Sequence, residues 1–182
     1  MPPPGPPPRL FRHCLEVPSD IRIESARVQD VPRLLTLIRA LAEYEKLSHL
    51  VVGTEAQLHE ELFGARPVIE SVLAWEGQRA LGFALFFHNF STFLARRGLY
   101  LEDLFVVPEA RGRGIGKALI RHGAQLAVQR GCGRYEWSVL DWNTPAIDFY
   151  KSIGADLLPD WRICRMTGDA LARLAEGDAA SS

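Results

Sequence analysis

The chain has 182 residues and a formal net charge of −1. Of these, 47% are hydrophobic and 24% charged, the range of an ordinary globular protein with a real core. The balanced charge argues against a nucleic-acid partner. No apolar run reaches the roughly 20 residues of a membrane helix, which argues against a membrane one. Three widely spaced cysteines, Cys14, Cys132 and Cys164, fit neither a disulfide framework nor a zinc site. No metal is expected, and the reducing cytoplasm is the default location.

Residues 1–19 are proline-rich and lack the apolar core of a signal peptide. They read as an extended, solvated and disordered tail, with a proline-recognising partner as the alternative. Residues 20–176 read as one domain and 177–182 as a second tail. Ile21 to Ser25 alternates apolar and polar, as a half-buried strand does. Asp30 and Pro32 then announce a helix, whose apolar face is Val31, Leu34, Leu35, Ile38, Leu41 and Ala42, running to about Glu45. Thr54 with Gln57 is a capping-box pattern opening a second helix, stopped by Gly64. Ser71–Trp75 and Ala80–Phe87 read as a hairpin turning at Glu76-Gly77. A loop with aromatics is expected from His88 to Arg97.

Gly98–Val107 reads as a central strand, closed by Pro108. A turn and a helix from Ile115 to Arg130 follow, broken at Gly131-Cys132-Gly133. Arg134–Leu140 reads as the strand completing a βαβ unit. Asn143 caps a short helix to Ile153. Trp161–Thr167 reads as a last strand and Asp169–Ala175 as a closing helix. Hairpins followed by a crossover predict an α/β fold with a mixed sheet and helices on both faces.

The chemistry concentrates in LEDLFVVPEARGRGIGK, Leu101 to Lys117. Strand, glycine-rich basic loop and helix start together make a phosphate site, because free N–H groups sit at a helix N-terminus and glycines let the main chain approach. The P-loop pattern fails, since Arg111 replaces its first glycine and Ala118 its hydroxyl. The dinucleotide fingerprint fails on its third glycine. What is left is R-x-x-G-x-G, with Arg111 and Arg113 supplying charge. A basic loop whose glycines serve only to turn is the competing reading.

R-x-x-G-x-G after a strand resembles the signature loop of the GCN5-related N-acetyltransferases, the GNAT superfamily. AEYEKL, LYLEDLFVVPEARGRGIGKAL and LDWNTPAIDFYKSIGA resemble its spermidine/spermine branch, which includes thialysine acetyltransferases. The resemblance spans about residues 20 to 167. It implies the GNAT fold, with a mostly antiparallel sheet splayed between its two middle parallel strands after a β-bulge. It also implies acetyl-CoA as cosubstrate. Main chain at Leu104, Phe105 and Val106 would hold the acetyl carbonyl and pantetheine. Arg111, Gly112, Arg113, Gly114, Ile115, Gly116 and Lys117 would cradle the pyrophosphate. Asn143, Thr144, Pro145 and Ala146 would line the pantetheine arm, and Tyr150 matches the tyrosine that protonates the departing thiolate. The family's habit implies a homodimer.

The reaction asks for such groups independently. An alkylammonium must lose a proton before it attacks, and Glu102 is the carboxylate placed to take it, directly or through a water. A main-chain N–H near Leu104 suits the developing oxyanion. A phenol of pKa about 10 suits the leaving thiolate. Each residue also has a plain reading: Glu102 and Asp103 as a solvated pair, Tyr150 as core, His88 as a polar loop residue. Cys132 has no histidine near it in sequence, which argues against a covalent acetyl-cysteine.

A cationic acceptor suits Glu45, Glu102, Asp103, Asp141 and Asp160, with Tyr44, Trp142 and Trp161 for cation–π contact. By resemblance, Tyr44-Glu45 and the segment before Trp161 line the acceptor site. Asp156–Trp161 is shorter and less acidic than the polyamine-type segment, while EKLS and LDWN are closer to the thialysine type. A small amino acid or diamine is therefore expected as readily as a polyamine. The alternatives are a protein lysine or N-terminal acetyltransferase and a non-catalytic acyl-CoA-binding module.

Overall fold

The structure, a computed structural model, describes residues 20–177; the tail expected at 1–19 lies outside the described residues. These residues gather into two compact units, one ending at Ser138 and one beginning at Val139.

The first unit is built on a five-stranded sheet in the order β1-β2-β3-β4-β5. The strands are β1 (Ile21–Ser25), β2 (Glu70–Glu76), β3 (Arg79–Ser91), β4 (Arg96–Val106) and β5 (Tyr135–Trp137). Neighbours run antiparallel except β4 and β5, which are parallel. The parallel pair is joined by α3 (Ile115–Gln129), the crossover the sequence predicts. Helices α1 (Val31–Tyr44) and α2 (Glu55–Phe63) bury Leu34, Leu37, Leu41 and Leu62 against Leu73, Phe83, Leu85 and Phe105 of the sheet.

Local signals act largely as read. The Thr54 hydroxyl accepts the Gln57 N–H (3.2 Å) and the Gln57 side chain accepts the Thr54 N–H (2.9 Å), closing the capping box. Asp30 behaves differently: it does not cap α1. Its carboxylate accepts the Arg27 N–H (2.9 Å), closing the single turn of 3₁₀ helix before α1, and it is buried there.

Three readings are corrected. The loop expected from His88 to Arg97 is mostly strand: β3 runs through Ser91 and β4 resumes at Arg96, leaving only residues 92–95 to turn. The stretch after Phe86 alternates half-buried and exposed positions, the period of a strand, but places polar His88 and Asn89 within it. Their side chains find partners across the sheet: His88 with the Gly98 carbonyl, Asn89 with Glu136. The strand expected over Arg134–Leu140 is only three residues long, because its pairing with β4 ends at Leu101 opposite Trp137.

The second unit holds α4 (Thr144–Ser152) and α5 (Gly168–Ala175). The strand expected at Trp161–Thr167 is irregular chain, with Trp161 and Ile163 exposed. Without a neighbouring strand in register, its alternation buries nothing.

Candidate active site

The geometry begins with a register step. Leu85 faces Asp103, but Phe86 faces Leu101, so Glu102 is an extra residue on β4 without a partner on β3. This is a β-bulge. It carries Asp103 to the face of Leu85, which packs under α1, and leaves Leu101 on the face of Phe86. The ladder to β5 ends at the same place, with Leu101 opposite Trp137 as its last pair.

Beyond the bulge, β4 is therefore laddered on the β3 side only, among the described residues. The Val107 N–H donates to Leu81 of β3 (2.9 Å), so by alternation Leu104 and Val106 aim their main-chain groups at the other, open edge. The Val106 carbonyl on that edge accepts from Arg111 Nε (3.0 Å).

The glycine loop lies at the end of this open edge. Gly112 and Gly114 hold φ of 75° and 78°, the left-handed region that favours glycine. A Cβ at either would meet nothing within 4 Å, so the loop's surface there is open. The first helical bond of α3 is Ala118 N–H to the Gly114 carbonyl (3.0 Å). The N–H groups ahead of it belong to the turn that has no intrahelical acceptor. A Cβ on Gly116 would sit 3.9 Å from the Leu104 and Val106 side chains, so α3 starts directly over β4.

The two arginines of the loop are already engaged. Arg113 pairs with Glu76 at 2.5 Å and lies 3.9 Å from Asp20. Arg111 places its guanidinium carbon 4.4 Å from the Tyr44 ring centroid and 5.7 Å from that of Phe105. Lys117, also expected at the phosphates, is exposed at the helix start.

Tyr44 ends α1 and Glu45 follows it, with its N–H bonded to Leu41 (2.9 Å). Partial burial raises the Glu45 carboxyl above its ordinary pKa. Burial pushes Asp103 up to about 6, helped by the nearby charges of Glu102 and Glu45. Three carboxyls thus crowd around the bulge, and Asp103 rather than Glu102 is the one removed from water. Strand alternation predicts opposite faces for Glu102 and Asp103. The bulge breaks that alternation, and no residue of the strand announces it.

The structure also brings His88 to Cys132, with 3.9 Å between Sγ and Nδ1, a neighbour the linear sequence hides. The ring is committed elsewhere. Arg130 donates to Nε2 (3.1 Å), so Nδ1 carries the proton it donates to the Gly98 carbonyl (3.0 Å). Arg130 is held in turn by Glu70, at 2.6 and 2.8 Å. With its Nε2 lone pair taken by Arg130, His88 is a strut and not a base for the thiol.

The remaining predicted residues belong to the second unit. Asn143 caps α4, its side chain accepting the Ala146 N–H (3.4 Å), with Thr144 and Pro145 in the first turn. Tyr150 lies on α4 with its ring centroid 5.4 Å from that of Phe149. Its carbonyl accepts from Ala155 (3.1 Å), past Gly154 with φ of 90°. Trp161 lies in the irregular segment. Among the described residues, no group of three or more His, Cys, Asp or Glu side chains is placed to hold a metal ion.

A bulged strand with one free edge, running into a glycine loop and helix, is the arrangement whose sequence pattern decides the family. Residues 36–155 match the model described as Acetyltransferase (GNAT) family.

The chain belongs to the GNAT family.

The match covers the bulge, the glycine loop and α4 with Tyr150. Relatives extend the likeness further. The chain is 35% identical to an L-ornithine N5-acetyltransferase of Arabidopsis thaliana, covering 82% of this chain and 86% of that protein. It is 37% identical to the thialysine N-epsilon-acetyltransferase of Mus musculus, over 85% of this chain and 96% of the relative. Among solved structures, an integron cassette protein of V. cholerae superimposes with a TM-score of 0.73 at 30% identity, covering 86% of this chain and 98% of that one. These likenesses agree with the branch of the GNAT family read from AEYEKL, LYLEDLFVVPEARGRGIGKAL and LDWNTPAIDFYKSIGA, and with the mixed α/β fold.

Proposed function

We propose that this GNAT protein transfers acetyl from acetyl-CoA to a primary amine of a small amino acid or diamine, by direct transfer within a ternary complex. The observation that carries this reading is the bulge at Glu102. One irregularity frees the β4 edge at Leu104 and Val106 and gathers Glu45, Glu102 and Asp103 beside it. The relatives named for ornithine and thialysine, both short amino acids with a terminal amine, support the substrate class.

The residues fit acetyl-CoA. The free edge at Leu104 and Val106, with Phe105 between them, offers main-chain donors and acceptors to an amide-rich pantetheine arm. Gly112, Gly114, Ile115 and Gly116 expose main-chain N–H groups to a pyrophosphate, and Lys117 adds a mobile charge. Acetyl-CoA supplies the activated thioester; the chain's own groups do the rest.

The three carboxyls draw the ammonium in. Glu102, exposed on the bulge, takes its proton directly or through a water. Asp103 lies beside it, its own carboxyl pushed up to about 6 by burial and by the charges of Glu102 and Glu45. The Leu104 N–H on the open edge faces the oxygen on which negative charge develops. Tyr150 gives its proton to the departing thiolate. By the resemblance to the family, Asn143 to Ala146 are assigned to the pantetheine arm, and Tyr44 and Trp161 to the acceptor. The whole of residues 20–176 acts as one catalytic domain.

A cytoplasmic location agrees with the free thiols of Cys132 and Cys164. A homodimer follows the family's habit. No described helix is long and apolar enough to cross a membrane.

The test is thiol release from acetyl-CoA against a panel of thialysine, ornithine, lysine, short diamines, spermidine, and peptides with free lysine or N-termini. Turnover is expected with the short amino acids or diamines. Turnover confined to the peptides would replace the acceptor class. Tight acetyl-CoA binding with no thiol release from any amine would make the chain a binding module and sink the enzymatic reading.

A further inference from the structure

We infer that Arg111 is a positioning residue: it braces the glycine loop against the acceptor wall, and its side chain is not a phosphate ligand. This rests on the acetyltransferase reading above and adds a link between its two substrate sites.

The geometry is specific. Arg111 lies between the 3₁₀ turn at Pro108–Ala110 and Gly112, so its backbone opens the loop. Its N–H holds the Pro108 carbonyl at 3.2 Å. Its side chain turns back along β4 instead of following the loop outward. Nε donates to the Val106 carbonyl at 3.0 Å, an acceptor on the strand edge that β5 has left. The guanidinium then lies against Tyr44, 4.4 Å from the ring centroid, and reaches Phe105 at 5.7 Å. Loop, strand edge and the last residue of α1 thus meet in one side chain.

Only arginine satisfies all three demands. A planar cation stacks on a ring while its Nε–H points sideways to a carbonyl. Lysine would keep the charge but lose the fork and the flat contact. Arg111 and Tyr44 are both exposed, so the stacking contact lies at the surface and takes the lower end of the range for such pairs, over a Phe105 ring that is buried. Among the described residues no carboxylate pairs with Arg111 within 4.0 Å, whereas Arg113 is held by Glu76 and Asp20. The two arginines of the motif therefore tie the loop on different sides, to α1 through Tyr44 and to the end of β2 through Glu76. The surface left for a pyrophosphate is main chain and Lys117.

The functional consequence is coupling. Tyr44 leads directly into Glu45, one of the carboxyls acting on Asp103. A loop held in its binding shape keeps Arg111, and hence Tyr44 and Glu45, in the acceptor-ready position. A side chain that only neutralised phosphate would have no such effect on the amine site.

A double-mutant cycle tests this. Arg111→Lys and Tyr44→Leu should each raise the amine KM, at saturating acetyl-CoA, about two- to fivefold, as expected for loss of one exposed contact of this kind. In each, KM should rise more than kcat falls. The double variant should be no worse than the poorer single one, because both remove the same contact. Multiplying effects, or an Arg111→Lys effect confined to acetyl-CoA affinity measured by calorimetry, would overturn the brace. The same cycle is run on urea unfolding, which needs no turnover. Coupling there in a chain that acetylates nothing would uphold the contact and reject the enzymatic reading. Additivity in both measurements would reject the brace alone.

Discussion

At the residue scale the most informative group is Asp103. A carboxyl held near pKa 6 by burial, Glu102 and Glu45 is mostly charged at neutral pH and titrates just below it. If proton removal passes through the Glu102–Asp103 pair, kcat/KM should rise with pH through about 6 and then level. Glu102→Gln removes a like charge, so it should shift the remaining acid limb to lower pH while lowering the plateau about ten- to a thousandfold. A pH–rate profile reads both effects, and an unmoved limb would detach Asp103 from catalysis. The shift also bears on stability. The folded chain holds this proton more tightly than the unfolded one, so raising the pH from about 4 to 6 costs stability. The site is thus built at the fold's expense. Tyr150 is argued from its match to the family and from the chemistry of thiolate departure. Tyr150→Phe should lower kcat about a hundredfold, the lower range of a lost general acid, and leave acetyl-CoA affinity nearly intact. Stopped-flow thiol detection with calorimetry separates the two.

At the element scale, α3 and β4 do most of the positioning. The helix lies close to the sheet because small residues face it: Gly116 over Leu104 and Val106, and Gly123 against Tyr135 of β5. A Cβ on Gly123 would overlap the Tyr135 hydroxyl, so Gly123→Ala must displace the Tyr135 ring or push helix and strand apart. It should cost about 1–3 kcal/mol in urea unfolding, the usual range for overpacking. Tyr135→Phe in the same background should recover part of that loss. Much of this scale was readable in advance. The α1 stripe, the Thr54 capping box, the hairpin and the crossover each announce themselves through local periodicity or turn chemistry. The outer half of the β3–β4 hairpin did not, because His88 and Asn89 look like loop residues until their partners across the sheet are known. The Trp161–Thr167 stretch failed in the opposite direction. Its alternation looks like a strand, but pairing is a property of two segments and not of one.

At the scale of the whole molecule, acetyl-CoA should act as a folding ligand. Anything that binds only the folded chain stabilises it by mass action, about 2.7 kcal/mol at a hundredfold excess over Kd. For a chain of this size that is a rise of roughly 5–10 °C in Tm. Gly114→Glu should abolish the rise, since it puts charge and bulk where a glycine at positive φ now opens the loop. Differential scanning fluorimetry with and without acetyl-CoA measures it. A variant that still responds fully would move the pyrophosphate elsewhere.

The sequence by itself determined the family, the mixed α/β fold and the crossover around R-x-x-G-x-G. Helix stripes, caps and glycine turns are encoded within a few residues of one another. Only the tertiary structure decided what the central stretch does with its side chains. The bulge at Glu102 arises from the register of two strands, so no residue in LED foretells that Asp103 will be the buried carboxyl. Arg111 reads as a phosphate ligand beside glycines. It becomes a brace only when the end of α1, more than sixty residues earlier in the chain, brings Tyr44 beneath it. Local chemistry is written along the chain, whereas burial and charge crowding depend on which distant segments fold together.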